Sequence, residues 1–215
     1  MTFIGLIGLT VVACQSNTEG YQIKGNIEGA GNGVAILTLP VGREEPTTGE
    51  TVKMKNGVFT FTGKLEAPSW ISIQVCPDKE QPASLGFIGE NNPLTLAGKW
   101  ADVIDQYGYR NIPNVQVTGS LNEKVFQKIS NIRQKLMQEP RFKEYAKVQA
   151  KLNELRNGED KEAFYKYQAE TEAITEQFNN EVQKQQKELI LKNDTVESVA
   201  YHLNFLQNNM ELAEL

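Results

Sequence analysis

The chain has 215 residues, 40% hydrophobic and 23% charged, and its 27 acidic against 22 basic residues leave a net charge of −5. That length allows one large or two small domains with a real core, the composition excludes a multi-span membrane protein, and the acidic balance argues against nucleic acid, which needs a basic face to displace phosphate counterions. Two cysteines, Cys14 and Cys76, and one histidine, His202, leave too few ligands for zinc, no Cys-x-x-Cys pair and no Gly-x-Ser-x-Gly nucleophile, so no metal or other cofactor is expected.

The first element is apolar. Phe3 to Ala13 (FIGLIGLTVVA) has the length of a signal-peptide core, about 7–15 residues, and falls short of the ~20 that span a bilayer. Val11-Val12-Ala13 ahead of Cys14 resembles the lipobox of bacterial lipoproteins, in which a peptidase cuts before a cysteine whose thiol carries a diacylglycerol. The resemblance implies a signal peptide over 1–13, lipidation at Cys14, and a tether over 14–20 ending in polar QSNTEG. The chain would then sit in the cell envelope, attached to the membrane by acyl chains worth about 0.8 kcal/mol per buried methylene. Met1-Thr2 departs from the pattern, since such leaders normally begin with Lys or Arg. Surface-exported lipoproteins of this kind carry an acidic cluster after the cysteine. Only Glu19 is acidic between Gln15 and Gly20, so the periplasmic side is expected.

Residues 21–119 read as a β domain. Tyr21–Ile23 with Ile27, and Val34–Leu39, predict two strands joined by a glycine-rich turn at Gly29–Gly33. Thr51–Lys55 and Val58–Thr62 alternate on either side of Asn56-Gly57, a strong hairpin signal because both turn positions need positive φ. Trp70–Val75, Leu85–Ile88, Leu94–Leu96 and Val115–Val117 bring the count to about eight short strands, as in an antiparallel β-sandwich or open barrel.

Residues 120–215 read as a helical connector of about four helices, making the chain α+β. Ser120 and Glu123 form a capping box before a stripe of Leu121, Val125, Ile129, Ile132 and Leu136. Pro140 interrupts, and Phe142, Tyr145, Val148, Leu152 and Leu155 form a second stripe, with Asn157-Gly158 as its C-cap. Phe164, Tyr167, Ile174, Phe178 and Val182 trace a third helix to about Leu191. Asp194 with Glu197 opens a fourth, carrying Val196, Val199, Leu203 and Leu206. These stripes are packing faces, and polar runs such as Gln183–Lys187 are solvated surface. The long helices with mixed polar faces would also suit a homodimer.

Few residues invite chemistry. Cys76 ends a strand, and Asp78 and Glu80 offset Lys79, its one nearby cation, so a buried or inert thiol is expected over a single-cysteine enzyme. His202 borders an apolar stripe and reads as a packing residue. In KWADVIDQYGYR, Trp100, Asp102, Asp105, Tyr107 and Tyr109 set aromatics beside carboxylates, a combination that binds sugars or peptides. The same aromatics packed on the sheet would explain the loop equally.

The order of the β elements carries a resemblance: YQIKGNIEG, ILTLP, ETVKMKNGVFTFTGKLEAPSWISIQV, GFIGENNPLTLAGKW, then VQVTGSLNEKVFQKI. Over roughly residues 20–130 this is similar to the N-terminal domain of unknown function, family 4369, of Bacteroidetes lipoproteins. In many relatives a helical connector follows, then a thioredoxin-like domain of the thiol-disulfide reductase (TlpA/ResA or AhpC/TSA) type. Its Cys-x-x-Cys has no counterpart here, so that chemistry transfers to no residue of this chain. The resemblance implies a non-catalytic, membrane-anchored module that positions or docks a thioredoxin-like domain or protein. The alternative is a stand-alone glycan- or peptide-binding lipoprotein using the loop aromatics.

Overall fold

The computed structural model describes residues 19–39, 49–106 and 108–207, with the backbone alone over 204–207. Ten strands come first: β1 (Tyr21–Glu28), β2 (Gly33–Thr38), β3 (Gly49–Met54), β4 (Val58–Gly63), β5 (Ser69–Pro77), β6 (Ala83–Gly89), β7 (Pro93–Lys99), β8 (Ile104–Gln106), β9 (Tyr109–Asn111) and β10 (Gln116–Thr118). Helices follow: α1 (Leu121–Ser130), α2 (Ile132–Met137), α3 (Lys143–Asn157), α4 (Lys161–Glu170), α5 (Glu172–Lys192) and α6 (Val199–Gln207). Among the described residues no helix is long and apolar enough to cross a membrane.

The strands form two open sheets, one of four in the order β10-β7-β1-β4 and one of six in the order β3-β2-β5-β6-β9-β8. Their inner faces share one core, to which Ile23, Phe61 and Leu96 contribute from the first sheet and Ile71, Ile73 and Phe87 from the second. Alternation decides which side faces in: along β1, Tyr21, Ile23, Gly25 and Ile27 are buried while Gln22, Lys24, Asn26 and Glu28 are exposed. Each large side chain buried this way contributes about 1.5–3 kcal/mol.

The expected antiparallel pairing holds only in part, because β1 runs parallel to β7 and β6 parallel to β9. The chain leaves the four-stranded sheet after β4, builds β5 and β6 in the other sheet, and returns as β7 on the far side of β1. The Asn-Gly turn also differs from a simple hairpin. Asn56 (φ 51°) and Gly57 (φ 79°) take the expected positive angles, and Lys55 and Val58 exchange backbone bonds of 3.0 Å. Beyond that bridge β3 joins the six-stranded sheet and β4 the four-stranded one. The turn is a corner between layers, held by Gly57 N–H donating to Gly31 O (2.6 Å) and Asn56 N–H to Asn32 Oδ1 (3.0 Å).

Two predicted helices each divide in two, giving six α-helices among the described residues. The first breaks at Asn131 between α1 and α2, and the third at Thr171, whose hydroxyl donates to Tyr167 O at 2.8 Å and bends the backbone. Gly158 ends α3 in an extended conformation rather than a left-handed cap, and Asp160 caps α4 by accepting from Ala163 N–H at 2.9 Å. The last helix begins at Val199, later than Asp194 suggests. Ile132, Leu136, Phe142, Tyr145, Phe178 and Val182 form one helical core, and Val125, Ile129, Ile190 and Val199 another. Leu121, expected in the first stripe, is 57% exposed, because α1 turns Asn122 and Glu123 inward instead.

Candidate functional site

The helical region is joined to the sandwich by a polar clasp. Ser120 accepts from Glu123 N–H at 2.9 Å, as a capping box requires, and donates its hydroxyl to Ile88 O at 3.1 Å. The Glu123 carboxylate does not return to Ser120. It accepts from Ile88 N–H at 2.7 Å and from Gln127 Nε2 at 2.8 Å, so half of the expected box is spent tying α1 to β6. Glu90 accepts from Leu121 N–H at 2.5 Å and from the Asn122 side chain. Asn122 in turn accepts from Ser198 N–H and Ser198 Oγ, both at 2.8 Å, which brings the start of α6 against α1. Glu123 is 2% exposed, and burial pushes its carboxyl above the usual range, only partly opposed by its two donors. Among the described residues no buried side-chain polar atom lacks a partner.

Beside the clasp, Trp70 on β5 packs edge-on against Phe126 of α1 (5.8 Å), and Phe126 meets His202 of α6 at 4.7 Å. His202 Nε2 lies 3.3 Å from Phe126 O, and burial lowers its pKa. This is the packing role expected of it. Cys76 stands at the other end of β5, about 20 Å from Trp70 at 3.3 Å per residue. Its thiol therefore cannot pair with the one imidazole, and burial pushes its pKa up, the reverse of what a nucleophile needs. Among the described residues no cluster of three or more His, Cys, Asp or Glu could hold a metal.

The aromatic loop is rearranged. Trp100 is 7% exposed and packs inside the sandwich, its indole N–H donating to Glu80 at 2.6 Å, with the Arg110 guanidinium 5.6 Å from its ring centre and bonded to Gln81 O. The stretch taken as loop contains the β8–β9 hairpin, in which Asp105 stands opposite Arg110. Asp102 and Asp105 are exposed, Tyr109 is 74% exposed, and Tyr107 lies outside the described residues, as does Cys14. Of the four described residues, Trp100 is buried while Asp102, Asp105 and Tyr109 are exposed. What the sequence did not single out is that Glu90 and Asn122 join the capping residue Glu123 in a clasp, and that Trp70 is exposed. The visible trace was a carboxylate and an amide, Asn122 and Glu123, directly before an apolar stripe.

No curated protein and no solved structure matches the chain. Residues 21–126 match a family described as a domain of unknown function, a span that runs from β1 into α1 and so takes in Glu90, Ser120, Asn122 and Glu123. By that match residues 21–126, just under half of the chain, are a Domain of unknown function (DUF4369).

Proposed function

We propose that this chain is a non-catalytic lipoprotein module of the cell envelope, anchored through Cys14 and facing the periplasm, that positions or docks a thioredoxin-like domain. The observation that carries the reading is that β1 starts and α1 starts at the same end of the sandwich. Gln22 N–H donates to Asn92 O (3.3 Å), two residues from the Glu90 carboxylate that holds Leu121 and Asn122. A tether entering at Tyr21 would therefore adjoin the helical arm directly, with only the turn before β7 between them. Such a mount raises the effective concentration of a partner near the membrane without any chemistry of its own. The raised thiol pKa of Cys76 and the half-buried His202, packed on Phe126, support the non-catalytic part.

Cells fed an alkynyl fatty acid test the anchor. Native chain takes up label and fractionates with membranes, whereas Cys14→Ala loses both. Absence of label from native chain, with Cys14→Ala fractionating identically, refutes the anchor. Cross-linking in the same membranes tests the docking half: a thioredoxin-like domain belongs in the product, and its absence from every product refutes that half.

A further inference from the structure

The two sheets differ on their outer faces. The four-stranded sheet carries Lys24, Glu28 and Lys99 there, an ordinary solvated mixture. On the six-stranded sheet the register places Lys53 as the lone charged strand residue on the outer face, in a chain that is 23% charged overall. The face has an aromatic side chain toward each end, the Trp70 end lying beside α1, which covers Ile88 and sets Phe126 against the indole edge. Trp70, 40% exposed, lies across Gly86: a Cβ there would sit 2.3 Å from Trp70 Cζ2 and 2.8 Å from Cε2, so the indole rests on the sheet where only glycine makes room. Tyr109 is 74% exposed, two strands away and, by the Trp70–Ile88 and Ser84–Asn111 pairings, about 20 Å along the sheet and about 10 Å across it. Between them Gln74, Ser84 and Asn111 stand in one row across β5, β6 and β9. Neither the Ser84 nor the Asn111 side chain is bonded within the described residues.

We propose that this face binds an uncharged polysaccharide, with Trp70 and Tyr109 as stacking platforms and the Gln74–Ser84–Asn111 row hydrogen-bonding the hydroxyls between them. Sugar rings present C–H bonds that stack on the electron-rich face of an aromatic ring. Amides and hydroxyls offer both donors and acceptors to sugar hydroxyls. Charge complementarity selects the occupant: strand side chains whose lone charge is Lys53 are cheap to desolvate against a neutral ligand and give an anionic or cationic one little counter-charge. A protein partner fits less well, since interface centres are depleted in serine and rich in apolar side chains, whereas this centre is a polar row. The inference is independent of the proposed anchoring, and it places sugar recognition away from Trp100.

Native gels cast with dextran, yeast mannan, barley β-glucan or arabinoxylan, and with polygalacturonate as the anionic control, test it on the full chain. At least one neutral polymer retards the chain, and Tyr109→Ala and Trp70→Ala each weaken that retardation about tenfold. Tyr109→Ala leaves the circular dichroism spectrum and Tm unchanged, which separates lost binding from lost folding. The proposal is overturned by retardation in none of the neutral gels, by retardation that Tyr109→Ala leaves intact, or by retardation in polygalacturonate alone. A native dimer that both variants convert to monomer overturns it too, assigning the face to a second copy of the chain.

Discussion

Replacing Glu123 by alanine removes the one acceptor of the Ile88 amide, which is fully buried and has no route to water. Leaving such a donor unsatisfied costs roughly 1–3 kcal/mol. Gln127 also loses a partner, but in a part-buried position where water can replace it. A net loss of about 2 kcal/mol, at a urea slope of about 2 kcal/mol per molar, moves the unfolding midpoint down by about 1 M. Glu123→Gln separates geometry from charge. Its amide oxygen still accepts from Ile88, and its NH2 can donate to Gln127 once that side chain turns over, so the clasp survives without a desolvated charge. The native carboxyl titrates above its ordinary 4.5 because burial favours the neutral form. Its contribution to stability is full below that value and is lost as pH rises through the raised native one. The difference between Glu123→Gln and native chain therefore grows in favour of the glutamine from pH 4 to pH 8, when urea midpoints are compared at each pH. Equal midpoints for alanine and native chain, or a glutamine variant as unstable as alanine at pH 8, would refute the clasp.

Two further substitutions probe the scaffold. Gly57→Ala at φ 79° places a Cβ 2.1 Å from Ile27 O, so a loss of about 2 kcal/mol and a fall in Tm of about 4–8 °C are expected in a thermal melt; an unchanged Tm would show that the corner is not under that constraint. His202 has its pKa lowered from 6.5 by burial against Phe126, so stability falls as pH drops from 6.5 through its lowered native value. His202→Phe should remove that part of the acid loss, and an NMR titration of His202 at or above 6.5 would contradict it.

Local patterns were the legible part. All eight strands read from alternation are present, since a strand with one buried face must alternate whatever it pairs with, and Ser120 caps α1 because the first turn of any helix needs an acceptor. The β8–β9 hairpin was missed because a strand of three residues is too short to show a period, and the division of two helices was missed because Asn131 and Thr171 do not look like breakers by composition. At the candidate site, Glu123 was visible as a capping residue, but its partner Ile88 stands 35 positions away.

Composition and short-range pattern located eight of the strands and the helical half, and showed a single histidine and two cysteines with no Cys-x-x-Cys. These depend on neighbours within a few positions or on composition alone. Which strands share a sheet came from long-range packing: β3 and β4, adjacent at Asn56-Gly57, part into different layers, while β1 pairs in parallel with β7 across more than sixty intervening residues. It also decided that Trp100 is packed inside and Trp70 left facing solvent, though both are tryptophans near a strand end. The reason is that burial and partnership are properties of surfaces brought together from distant parts of the chain, and no local period carries that information.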